Sequence, residues 1–251
     1  MMPAAATTPR PQGGIQVRLT AILLGYGALA AAVCVLAPLV GSTHISLARA
    51  FDRSIPFADN VDAQIFFVAR MPRVLSGAVV GATLATAGVV MQALLRNPLA
   101  TPFTLGVSAG AALGAILVIT FGATVTIGVL SPVPVASLAG ALLAAAIVYA
   151  LATRPGRTMS TAVLLLAGVT LNSFFSALIL FVQYFADYAQ TYRILRWLMG
   201  DLDISSYGPL LTALPLVLGA LAVFAWLARP LNLLSLGTDS AETRCAYEAS
   251  R

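Results

Sequence analysis

Few side chains in this sequence can do chemistry, and their types narrow what that chemistry is. All the basic residues are arginine and there is no lysine. A phosphate-binding loop of the GxxxxGKS/T kind needs lysine to reach the terminal phosphates, so that motif is excluded. Any ATP the protein uses is therefore hydrolysed by a partner, and no catalytic residue is assigned. One histidine, His44, and two distant cysteines, Cys34 and Cys245, offer neither metal-ligand spacing nor a disulfide framework. No metal site and no cofactor are expected. The arginines stand singly or in pairs between apolar runs, so a net charge of +5 does not make a nucleic-acid-binding face. The most pointed pair is Arg70-Met71-Pro72-Arg73, whose guanidinium groups suit either headgroup anchoring or recognition of carboxylates.

The other candidates are uncharged. On a helix turning roughly 100° per residue, Thr161, Gly168, Asn172, Ser176 and Gln183 fall within about an 80° arc. Polar groups on one face of a spanning helix look toward other helices or toward a water-filled cavity. Gly77, Gly81, Ala85, Gly88 and Gln92 share a similar arc, a groove of small residues that lets backbones approach closely in lipid. Gly106, Gly110 and Gly114 repeat the device.

These residues need helices to position them, and the composition says of what kind. Apolar residues make up 59% of the chain and charged residues 9%, against about a quarter charged in a water-soluble domain. With a mean hydropathy of +0.93, the chain reads as an all-α, polytopic membrane bundle with the lipid bilayer as its solvent. Residues 1–18 read as a disordered start and 19–228 as the membrane domain. Spans are expected at about Leu19–Thr43, Val74–Leu95, Leu105–Phe121, Pro134–Ala152, Ser160–Ala186 and Pro209–Ala228, with a polar loop over 44–69. The first apolar run is too long for a signal peptide and is taken as a retained span. No acidic residue lies within any of these spans, which argues against an ion-coupled secondary transporter, the main alternative class.

The stretch from 70 to 115 carries a resemblance. The words RMPR, MQALLRNPLA and LGVSAGAALGA, in this order, are similar to the signature of the FecCD-type permeases, the membrane subunits of ABC importers for iron-siderophores, haem and cobalamin. The resemblance implies an importer permease in the cell membrane that translocates an iron-siderophore or a related chelate. It implies three protein partners: a cytoplasmic ATPase, an extracytoplasmic substrate-binding protein, and a second permease subunit, identical or homologous. It also places the N-terminus in the cytoplasm, which the arginine distribution permits.

Residue by residue, the resemblance implies that Arg70 and Arg73 face outward and dock the binding protein. The span containing STAVLLLAG resembles the one lining the pathway, which gives Thr161, Gly168, Asn172, Ser176 and Gln183 that role. Asn97, Leu99, Ser160 and Thr161 correspond to cytoplasmic gate positions. Arg193 to Gly200, RILRWLMG, looks like the short outer helix after the pathway span, with Trp197 near an outer gate. Residues 229–241 resemble the segment that couples to the ATPase, through Leu231, Asn232, Leu233, Leu234, Leu236 and Gly237. The family fold has ten helices and about six are expected here, followed by an atypical tail, 242–251, so the chain reads as truncated. A non-transporting remnant is the third reading.

Overall fold

The computed structural model describes residues 13–122, 131–153, 160–202 and 206–235, and every regular element among them is helical. The chain divides into two compact units, residues 1–78 and 79–251, with the divide inside a long helix.

In the first unit, α1 is Gly13–Leu36. It begins before the expected Leu19, in spite of Gly13 and Gly14 at its start, and within it the Thr20 hydroxyl donates back to the Gln16 carbonyl (2.8 Å). It closes in a 3₁₀ turn, Ala37–Leu39, where buried Pro38 cannot continue the α-helical bonding.

The expected polar loop over 44–69 is instead folded. It holds α2 (Leu47–Ala50) and α3 (Val61–Gln64). Buried Asn60 caps α3 by accepting from the Ala63 N–H (3.0 Å) and donates to the Arg49 carbonyl (2.6 Å). Gln64 donates to the carbonyls of Phe57 (2.9 Å) and Ala58 (2.8 Å), so one amide fastens the intervening loop. Phe51, Phe66 and Phe67 pack edge to face, with centroids 4.9 to 5.5 Å apart. The Ser54 hydroxyl and N–H both donate to the Asp52 carboxylate and hold its pKa below the ordinary value.

The polypeptide is helical without a break from Val61 to Leu95. The segment Ile65–Arg70 is a π-helix, and α4 (Met71–Leu95) follows. Pro72 explains the widening: it lacks an N–H for the carbonyl four residues back, and its ring would crowd that carbonyl in a tight α-turn. At about 1.5 Å per residue the whole helix exceeds the hydrocarbon thickness of about 30 Å.

The core of the second unit is α5 (Val107–Phe121), packed between α6 (Pro132–Ala152) and α7 (Thr161–Gln183). A Cβ on Gly110 would lie 2.5 Å from the Gly140 carbonyl oxygen and 2.7 Å from Ala144 Cβ. Gly114 meets the Ala136 backbone as closely. The second small-residue groove is thus a helix–helix seam. In the first groove, by contrast, Gly81 and Gly88 have nothing within 4 Å among the described residues.

α5 is shorter than the expected third span. The turn Pro102–Leu105 is 3₁₀, and Gly106 (φ 72°) and Gly122 (φ 66°), both left-handed, bound the helix. Its 15 residues, about 22 Å, leave Ala115 and Ile116 fully buried. Among the described residues five helices are long and apolar enough to cross a membrane, and α5 is a shorter apolar sixth.

α8 (Tyr188–Met199) opens with a capping box, in which Asp187 accepts from the Gln190 N–H (2.7 Å) and Gln190 accepts from the Asp187 N–H (2.9 Å). Gln190 also donates to the Thr120 carbonyl (2.9 Å), which ties α8 to the end of α5 over buried Ile194. α9 (Gly208–Trp226) and α10 (Ala228–Ser235) complete the described residues.

Candidate functional site

The Arg70–Arg73 motif lies at the junction of the π segment and α4. Its two arginines differ. Arg70 Nη1 donates to the Pro38 carbonyl (2.9 Å) and Nη2 donates to the Thr43 carbonyl. Gly41 sits against this guanidinium; a Cβ there would be 2.6 Å from Nη2 and 2.7 Å from Cζ. Arg73 is exposed, and Pro72 between them is fully buried. Sequence reasoning missed Pro38 and Gly41, because nothing local in a Pro-Leu-Val-Gly-Ser-Thr turn announces an arginine about thirty positions later.

The turn after α4 is built by its backbone. Arg96 is left-handed (φ 48°), the Asn97 N–H reaches the Gln92 carbonyl (3.2 Å) and the Arg96 N–H reaches the Ala93 carbonyl (3.4 Å). This is a Schellman termination with arginine where glycine is usual. Asn97 Oδ1 accepts from the Leu99 N–H (2.9 Å), and the Asn97 carbonyl accepts from the Ala100 N–H (3.0 Å). Leu99 is left 83% exposed while Ala100 is buried. Ser160 and Thr161, both exposed, begin α7, and the Ser160 side chain makes no capping bond. The two stretches meet through one apolar cluster containing Leu95, Ala100, Ala152 and Leu164. The four expected gate residues therefore sit on elements that share a core.

Along α7, the polar arc divides. Gly168 is buried, and a Cβ on it would strike the Thr104 carbonyl and sit 2.7 Å from Leu105 Cα. It packs the 3₁₀ turn and does not present an open surface. Thr161, Asn172 and Ser176 are exposed, and Gln183 is half-buried. The Ser176 hydroxyl donates to the Asn172 carbonyl (2.8 Å), as Thr170 and Ser173 do one turn back, so these hydroxyls are satisfied within their own helix.

In α10, Leu231 and Asn232 line a cleft of about 300 Å³ shared with Thr86, Val90 and Ala93 of α4 and Phe224 of α9. Leu233 is half-buried and, about 200° round the helix from Leu231, belongs to the other face. The side chain of Leu234, and Leu236 and Gly237 altogether, lie outside the described residues. On α8, Trp197 packs with Ile194, and Arg196 pairs with Asp201 at 2.6 Å on the surface. Among the described residues no group of acidic, histidine or cysteine side chains could hold a metal ion.

The fold and these sites define a multi-pass helical membrane protein with structured turns at its helix ends. Residues 29–244 match the FecCD transport family, and the chain belongs to it. The cobalamin import system permease protein BtuC of Halobacterium salinarum is 43% identical over 174 residues, covering 69% of this chain and 46% of that protein. The hemin transport system permease protein HmuU of Yersinia pestis is 39% identical, covering 68% of this chain and 51% of that protein. This chain thus spans about half the length of these relatives. A solved metal-chelate type ABC transporter in an inward-facing conformation has a similar structure, with a TM-score of 0.71 and 30% identity over 89% of this chain and 66% of that one.

Proposed function

We propose that the chain is a permease subunit of an ABC importer that carries an iron-siderophore, or a related haem or cobalamin, across the cell membrane. The observation that supports this best is the family match over residues 29–244, joined to the likeness to a metal-chelate transporter. The chain would act with a second permease subunit, receive its cargo from an extracytoplasmic binding protein, and be driven by a separate cytoplasmic ATPase. Its N-terminus would be cytoplasmic, with 19–228 as the membrane domain and 229–241 as the coupling segment.

In this reading the Arg70–Arg73 motif serves docking, since charge complementarity steers encounter and fixes register. Asn172 and Ser176, uncharged and exposed on α7, would line a pathway of low affinity suited to a bulky chelate. The turn at Asn97–Leu99 and the start of α7 at Ser160–Thr161 would form the cytoplasmic gate, because both ends ride on one apolar cluster and move together when the ATPases pull on α10.

The test is reconstitution in liposomes with the importer's ATPase and binding protein. Ferric-siderophore-loaded binding protein is expected to stimulate ATP hydrolysis and ATP-dependent uptake of labelled iron. Uptake driven by an ion gradient without the ATPase, or hydrolysis indifferent to loaded binding protein, would overturn the proposal.

A further inference from the structure

We propose that the cleft between α4, α9 and α10 holds one anionic phospholipid, with an acyl chain between the helices and its phosphate at Arg96 and Arg229. The inference needs only that these helices cross a bilayer, and is independent of what the protein transports.

The cleft lies at the ends of two spans. α4 contributes residues from Thr86 to Ala93 and stops at Leu95, while α9 contributes Leu221 to Ala225 and stops at Trp226. Both helices are long and apolar enough to cross a membrane, so their C-terminal ends lie side by side at one face of it. From Thr86 to Ala93 the helix rises about 10 Å, a depth inside the hydrocarbon and just beneath the headgroups.

The walls suit an acyl chain. They are formed mainly by Val89, Val90 and Ala93 of α4, Leu221 and Phe224 of α9, and Leu231 of α10. The Thr86 hydroxyl donates to the Ala82 carbonyl of its own helix (2.8 Å), which leaves little polar surface beyond Asn232. A space so lined favours apolar matter over water.

The rim has a different chemistry. Arg96 stands one turn beyond Ala93, and Arg229 directly follows Ala228, which also lines the cleft. Each arginine lies just past the end of a span, where headgroups are, and each is exposed. α4, α9 and α10 carry no acidic residue to neutralise them. A guanidinium meets a phosphate with two parallel N–H donors, and basic pockets between membrane helices take anionic headgroups. A zwitterionic lipid would bring a cation of its own to this rim. An apolar helix of another subunit would fill the cleft and leave both guanidinium groups without an anion. The rim charge therefore selects a lipid whose headgroup is net negative.

The purified chain, delipidated in detergent, is titrated with phosphatidylglycerol, with phosphatidylcholine of the same acyl chains, and with glycerol 3-phosphate. Bound species are counted by native mass spectrometry, and circular dichroism checks the fold. Wild type is expected to retain one phosphatidylglycerol per chain in preference to phosphatidylcholine. Arg96→Gln and Arg229→Gln are each expected to weaken phosphatidylglycerol by about fivefold and to leave phosphatidylcholine unchanged. Val90→Trp, which fills the cleft with both arginines in place, is expected to abolish the retained lipid; should it not fold, the two arginine variants decide.

Equal affinity for the two lipids, or phosphatidylglycerol binding indifferent to both arginine variants, overturns the proposal. Glycerol 3-phosphate bound as tightly as the lipid would make this a soluble-anion site and overturn it too. So would a folded Val90→Trp protein that keeps its lipid but loses a second subunit, since the cleft would then belong to a protein helix.

Discussion

Arg96 holds a left-handed conformation that costs a non-glycine residue roughly 1 kcal/mol, and it does so to let two terminal carbonyls of α4 find donors. Arg96→Gly should remove that strain, partly offset by the greater freedom of glycine in the unfolded chain. A rise in stability of up to about 1 kcal/mol is expected, seen as a higher thermal midpoint in detergent. Asn97→Ala should cost about 1 kcal/mol, because the Leu99 N–H loses its side-chain acceptor, whereas Asn97→Asp should cost less. Unchanged midpoints in both Asn97 variants would mean that the turn holds without its side chain. At this scale the sequence was informative about where and poor about why. The Arg-Asn-Pro break was visible as a span end, but its hydrogen bonding depends on a left-handed arginine that no local preference favours. Arg70 was legible as a special arginine, while its partners at 38 and 43 come from chain geometry that spacing does not encode.

Helices expose the same division between pattern and partner. Both small-residue grooves have a similar period, yet one is a seam and the other, at Gly81 and Gly88, meets nothing among the described residues. Periodicity says that a face is smooth; it does not say what lies on it. Gly140→Ala or Gly114→Ala should force α5 and α6 apart and cost about 1 to 3 kcal/mol. Gly88→Ala should be neutral or stabilising by up to about 1 kcal/mol, through helix propensity alone. Thermal unfolding of the isolated chain in detergent checks both, and equal destabilisation at the two positions would contradict the packing described. Gly168 shows the cost of reading an arc by polarity. It shares an angle with Asn172 and Ser176, but its missing side chain serves a backbone contact with the turn at 104–105. The expected span starting at Leu105 exceeds α5 for a related reason: Leu105 and Gly106 are apolar enough for a span, and only the left-handed glycine reveals that the helix starts at Val107.

For the molecule as a whole, the proposed function requires that work done by a separate ATPase reach the spans, and under that proposal the second unit offers a specific route. α10 follows α9 directly, and its Leu231 lines a cleft against α4, the helix whose C-terminal end shares a core with the start of α7. Leu233 lies on the opposite side of α10 and does not line that cleft. Under the proposed function the leucines expected to couple would have different work: Leu231 lines the cleft against α4 and would seat α10 there, while Leu233 would be the one to grip the ATPase. Leu233→Asp should abolish co-purification with the ATPase while the thermal midpoint of the permease stays near that of wild type. Leu231→Asp should lower that midpoint, because a carboxylate in an apolar cleft costs several kcal/mol unless it takes up a proton. Leu231→Met, which conserves volume, should leave both readouts close to wild type. An ATPase that stays bound to Leu233→Asp but dissociates from a fully stable Leu231→Asp protein would reverse the assignment of the two faces, and the force would then have to enter through the cleft itself.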